Sequence, residues 1–180
     1  MSTTFKKMAF RAAVASGVAM IGVGAYAAQG SSATANASAT IVNPIAITKT
    51  SDLVFGKLAV GAVGGNVAIS TANVVAISGA GTTVSQPVGN AGNPAAAVFG
   101  VTGEAGFTYA ITLPSDGAVT ISDGASHTMA VNGFVSNPGT TGTLSGAGTD
   151  SLKVGATLVV GNNQVPGTYT GTFNVTVSYN

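Results

Sequence analysis

From Thr168 to Asn180 the chain reads TYTGTFNVTVSYN and alternates without interruption. Tyr169, Gly171, Phe173, Val175, Val177 and Tyr179 fall on one side, and Thr, Asn and Ser fall on the other. Successive side chains of a strand point to opposite faces, so the pattern predicts one long strand with an apolar and a hydroxyl-rich face. The same period, or short Val/Ile/Leu runs bounded by Gly, Pro and Asp-Gly, predicts further strands. These lie at 53–55 with 58–60, 67–70, 75–78, 95–102, 107–113, 118–121, 127–135 and 151–160, with a weak one near 82–88. The two VAIS segments, at 67–70 and 75–78, read either as a hairpin or as halves of one bent strand. Upstream, Ala33, Ala35, Ala37, Ala39 and Ile41 share a face that continues through Ile45 and Ile47, so the N-terminal part predicts a weak strand that Pro44 either confines to an edge or breaks.

No amphipathic helical period follows residue 27. About eight or nine strands with turn signals every 8 to 12 residues predict an all-β fold, a single antiparallel β-sandwich of immunoglobulin-like type. An outer-membrane barrel would need longer alternating segments and aromatic girdles, and aromatic residues are only 6% here.

The first 27 residues stand apart. Lys6, Lys7 and Arg11 precede the apolar run 12–24, and Ala25-Tyr26-Ala27 completes an A-x-A cleavage pattern. That order is the form of a secretory signal peptide, and the run is too short to span a bilayer. The expected organisation is a signal peptide at 1–27, a flexible leader or donor strand at 28–38, and a sandwich domain at 39–180. Export to the periplasm, cell surface or medium follows as an expectation, with no stable membrane insertion of the mature chain. Beyond residue 27 the charges are Lys49, Lys57 and Lys153 against Asp52, Glu104, Asp116, Asp123 and Asp150, so 3 − 5 = −2. With no Arg and no basic stripe there is nothing to neutralise phosphates, which argues against nucleic acid as a partner. The chain has no Cys, which excludes disulfides and thiolate metal sites.

Candidate chemistry is sparse. His127 is the one histidine and lies in a predicted strand, where a structural or surface place is the more common role. Glu104, Asp116 and Asp123 are candidate Ca²⁺ ligands, but no D-x-D-x-D spacing accompanies them and Asp-Gly is ordinary turn chemistry. No G-x-S-x-G elbow occurs, and Asn36-Ala37-Ser38 and Asn174-Val175-Thr176 are sequons of low specificity. The expectation is a protein without catalytic residues, cofactor or metal.

Counting back from Asn180, Tyr179 is penultimate, Val177, Val175 and Phe173 alternate, and Gly167 is fourteenth. That ending resembles the C-terminus of bacterial chaperone–usher pilins. The resemblance implies a last strand that a periplasmic chaperone, and then a neighbouring subunit's N-terminal extension, completes by β-augmentation. Segments 39–56, 101–114 and 152–180 resemble a secreted bacterial family known as domain of unknown function 4402, and LVFG at 53–56 is similar to spore-coat-U-type subunits of archaic pili. The residues expected to serve strand pairing and assembly are Gly167, Phe173, Val175, Val177 and Tyr179, with Ile41, Ile45 and Ile47 as the donor side. The reading that follows is a structural subunit of a surface fibre whose partners are other copies of itself and a periplasmic chaperone and usher. The alternatives are a self-contained secreted sandwich and, behind both, a carbohydrate-active or metal-dependent enzyme.

Overall fold

The computed structural model describes residues 30–89 and 91–180. The signal segment expected at 1–27 lies outside the described residues. The chain divides into two units, residues 1–39 and 40–180. In the first, residues 30–39 are exposed and form no strand. The second unit carries ten strands, and there is no helix among the described residues.

The strands are β1 (Ala46–Ser51), β2 (Gly65–Ile69), β3 (Val75–Ser78), β4 (Ala97–Thr102), β5 (Thr108–Thr112), β6 (Val119–Ser122), β7 (Thr128–Asn137), β8 (Thr141–Thr143), β9 (Thr149–Val160) and β10 (Thr176–Tyr179). They form two antiparallel sheets, one of seven strands and one of three in the order β10-β5-β8, in a sandwich-like all-β arrangement. The VAIS repeats are the hairpin β2-β3, with Val67 opposite Ile77. The expected strands near 53–60 and 82–88 are reduced to single bridges, Val54 with Ala95 and Ala59 with Ser85. The weak N-terminal strand begins only at Ala46, two residues past Pro44, and β8 has no counterpart in the sequence pattern.

β9 organises the larger sheet. One of its edges is shared, with β4 against Thr149–Val154 and β2 against Ala156–Val160. β7 runs along the other edge, with a bulge between Asn132 and Val135 where Gly133 takes φ 58°. Gly155 marks the handover from β4 to β2, and a Cβ there would strike the Ile69 carbonyl oxygen. The site therefore requires glycine for close backbone approach.

The core lies in two parts along β9. The first holds Val101, Tyr109, Ile111, Leu144, Leu152 and Val154 between the two sheets. The second holds Val67, Val119, Met129, Val131, Leu158 and Val160 from the seven-stranded sheet, with Val84 from a loop. The three-stranded sheet covers the first part. Over the second part lie Leu53, Phe55, Leu58 and Val60 from one segment and Tyr169 and Phe173 from another, and neither segment is a strand. Phe173 joins the two parts, with its ring 5.1 Å from Phe134 and 6.3 Å from Phe99.

The alternation of the last strand places Tyr169, Phe173, Val175, Val177 and Tyr179 inward, all half-buried, with Thr and Asn between them exposed. Val175→Asp would put an unpaired charge against the first core part. An expected loss of about 3 kcal/mol follows, whereas Thr176→Asp should stay within about 0.5 kcal/mol. Urea unfolding of the two variants checks this, and equal losses would show that the facing is wrong.

Candidate functional site

The ten-residue β7 and the twelve-residue β9 find partners along most of their length, but the C-terminal segment does not. It makes one bridge at Thr170 to Ser122, with N···O distances of 2.8 and 2.9 Å, and pairs with β5 only from Thr176. Among the described residues, 171–175 join no ladder. Gly171 lets this segment settle on β6, because a Cβ there would meet the Thr120 carbonyl oxygen at 2.6 Å and Ile121 at 2.9 Å. Gly167 is different. A Cβ there would find Asp123 at 3.5 Å and the Tyr169 ring at 3.7 Å, which is ordinary contact.

In an antiparallel pair, alternate residues turn their backbone groups toward the partner. Asn180 donates its N–H to the Thr108 carbonyl, and Ser178 and Thr176 follow at intervals of two. The backbone groups of Val177 and Tyr179 therefore face the other edge, and Ile111, opposite Val177, gives its N–H to Thr140 on the far side. The same parity continues to Val175 and Phe173. On the facing segment, Val54 and Ala59 spend their backbone groups on Ala95 and Ser85, which lie away from this gap.

Between the segments 49–60 and 164–173 lies a groove of about 1040 Å³. Its floor includes Val119, Ile121, Met129, Val131, Leu158 and Val160, and its lips are the two segments, which do not pair with each other. The groove is open to water, so its apolar floor lacks the close packing that a covering layer of side chains would give it.

The far end of the seam is closed. The Tyr179 hydroxyl donates to the Asn43 carbonyl oxygen at 2.8 Å and accepts from the Glu104 N–H at 2.6 Å. Glu104 Oε2 in turn accepts from the Asn43 backbone and side-chain nitrogens, each at 2.9 Å. Ile45 and Ile47 pack on the first core part beside Val177 and Tyr179, and Ile47 pairs with Val101 in β4. Ile41, by contrast, is 97% exposed. Of the residues expected to serve assembly, Phe173 and Gly167 line the groove. Val175, Val177 and Tyr179 continue its edge, Ile47 lies in β1 with Ile45 just before it, and Ile41 stands clear. Sequence reasoning did not single out Asn43, Gly171 or the 53–60 lip for this site, although Leu53/Phe55 and Leu58/Val60 each show the two-residue period.

The candidate acids are dispersed. Asp116 Oδ1 accepts from the Gly133 N–H at 2.7 Å, and Glu104 is held by Asn43. Asp123 Oδ2 lies 2.6 Å from His127 Nδ1, and Asp123 Oδ1 accepts from the Ala125 N–H at 2.9 Å. Among the described residues no three such groups come together to hold a metal ion. The hydrogen bond from His127 lowers the Asp123 carboxyl below its ordinary value. Tyr109 is fully buried and donates to Asp150 Oδ2 at 2.8 Å. Burial, and then the bond and charge of Asp150, push the phenol well up. A Cβ on Gly142, opposite Tyr109, would overlap its ring, so the three-residue β8 is fitted to this one side chain.

The family described as Domain of unknown function (DUF4402) matches residues 45–179, and the chain belongs to it. No curated protein and no solved structure matches.

A carboxyl held low in the folded state stabilises it above the unfolded pKa of 3.8 and loses that contribution as pH falls through the folded value. Urea midpoints at pH 6 and pH 3 should therefore fall further for the natural chain than for Asp123→Asn. Equal falls would detach Asp123 from acid stability.

Proposed function

We propose that this member of the DUF4402 family is a non-enzymatic structural subunit of a bacterial surface fibre, an immunoglobulin-like sandwich completed by an extended strand from outside its own domain. The observation that carries this reading is the groove over the second core part, bounded by two backbone segments that find their few partners elsewhere and do not pair across it. An added strand supplies what that place lacks, which is backbone donors and acceptors for the edge and alternate apolar side chains for the floor. Exposed sheet edges are normally shortened, charged or covered. Here the 164–173 lip carries no charged residue, and its Phe173 begins the alternating set continued by Val175 and Val177. Residue types that would carry catalysis are scattered over separate hydrogen bonds, which favours a structural role over an enzymatic one.

In this reading the segment 1–27 directs export and is removed, Gly167 to Tyr179 form the acceptor edge, and residues upstream of Asn43 act as donor. A periplasmic chaperone fills the groove before a neighbouring copy does. The second reading, a self-contained surface sandwich, is favoured by one observation: Ile45, Ile47 and Asn43 are already bound within their own domain.

Deleting residues 28–39 separates the two, since it leaves β1 and the Asn43 contacts in place. The full mature chain should form concentration-dependent oligomers on size exclusion, and the deleted chain should elute as a monomer with a lower urea midpoint. A full chain that stays monomeric, refolds unaided and matches the deleted chain in stability would defeat the fibre reading.

A further inference from the structure

We propose that Asn132 is a latent deamidation site, held silent by a crossed pair of hydrogen bonds between Asn132-Gly133 and Asp116-Gly117. This holds whatever enters the groove.

An asparagine followed by glycine is chemically labile. The glycine nitrogen attacks the asparagine Cγ, the new N–Cγ bond forms, the Cγ–Nδ2 bond breaks, and ammonia leaves with the proton of the attacking amide. Water then opens the resulting succinimide at either carbonyl and leaves aspartate or isoaspartate. Glycine favours the step because it puts no side chain in the way of its own nitrogen. Asn132 is the one asparagine of the chain that precedes glycine. Asn43, Asn93 and Asn137 precede proline, whose nitrogen carries no hydrogen. Burial does not shield the site, since Asn132 is half-buried and Gly133, Asp116 and Gly117 are exposed.

The β6–β7 register supplies protection instead. Val119 lies opposite Val131, and continuing that register by two residues brings Gly117 opposite Gly133, at the β7 bulge. There Asp116 Oδ1 accepts from the Gly133 N–H at 2.7 Å, and Asn132 Oδ1 accepts from the Gly117 N–H at 2.9 Å. The first bond aims the hydrogen of the attacking nitrogen at a carboxylate. Deprotonating that nitrogen would set one negative charge beside another, which like-charge repulsion opposes. The second bond ties the Asn132 side chain to the facing turn, so its Cγ cannot swing freely onto the Gly133 nitrogen. The pair also serves Asp116-Gly117, whose glycine N–H is the one that Asn132 holds. The remaining sequence of this kind, Asp123-Gly124, has its glycine N–H on Ser122 Oγ at 3.1 Å. All three labile glycine nitrogens are therefore engaged by a side-chain acceptor. The crossed pair guards the groove floor, because Met129 and Val131 precede Asn132 in β7 and Asn132 pairs with Thr157 in β9. An isoaspartate at 132 would lengthen the main chain by one carbon and break that register.

Mass mapping of the full chain after incubation at mildly alkaline pH reads the conversion at residue 132. The natural chain should convert at least about tenfold more slowly folded than unfolded in urea. Asp116→Ala, still folded by its urea midpoint, should convert at Asn132 about tenfold faster than the natural chain, the factor that a bond to a charged acceptor is worth. Asp116→Asn keeps an acceptor oxygen without the charge and should fall between the two. Isoaspartate at Asp123 in the same samples separates the local clamp from loosening of the whole domain, and it should form at the natural rate. An unchanged rate at Asn132 in both variants, a natural chain that converts as fast folded as unfolded, or equal acceleration at Asp123 would overturn the proposal.

Discussion

An apolar surface on a sheet must be covered, and this sheet is covered over only part of its length. β9 is long enough to support two core parts, but the three-stranded sheet opposite reaches only one. Every other arrangement around the groove follows from that shortage. The segment 53–60 bends over the second part while its backbone bonds outward to Ala95 and Ser85. The segment 164–173 drops onto β6 through Thr170 and Gly171. Both bring apolar side chains to the floor without the ladder that normally accompanies them. The second core part is thus roofed by side chains and left open along its backbone.

The sequence made the facing of the last strand legible and misjudged its extent. Side-chain alternation depends on chain geometry alone, so Phe173, Val175, Val177 and Tyr179 point where the period places them. A ladder depends on a neighbour, and the neighbour is what residues 171–175 lack. The strand therefore shrinks from the alternating stretch 168–180 to Thr176–Tyr179. The same distinction explains 53–60, where the period is visible and the pairing is not. β8 went unseen for another reason. A Thr-Gly-Thr run carries no period, and only the Tyr109 ring lying across Gly142 explains a strand there.

The clasp at Tyr179 was beyond sequence reasoning because its three members lie 61 and 136 residues apart. Each looks unremarkable alone. Glu104 sits in a Gly-rich turn, Asn43 precedes a proline, and Tyr179 reads as one more inward aromatic. Together they convert an acid that resembled a metal ligand into an acceptor for Asn43. Asp123 follows the same course, its carboxylate occupied by His127 and Ala125 and its Cβ set against Gly167.

The two glycines of the last segment differ in what the fold asks of them. Gly171 is demanded by the chain itself, since any side chain there would push the lip off Thr120 and Ile121. Gly167 meets no such demand: its surroundings leave room for a methyl, and its backbone does not take the left-handed conformation. Under the proposed strand addition, that room is what an incoming backbone would use to approach the lip closely. The resemblance to pilins rests on the spacing of Gly167 from Tyr179, and the physical case for an added strand rests on the contrast between Gly167 and Gly171.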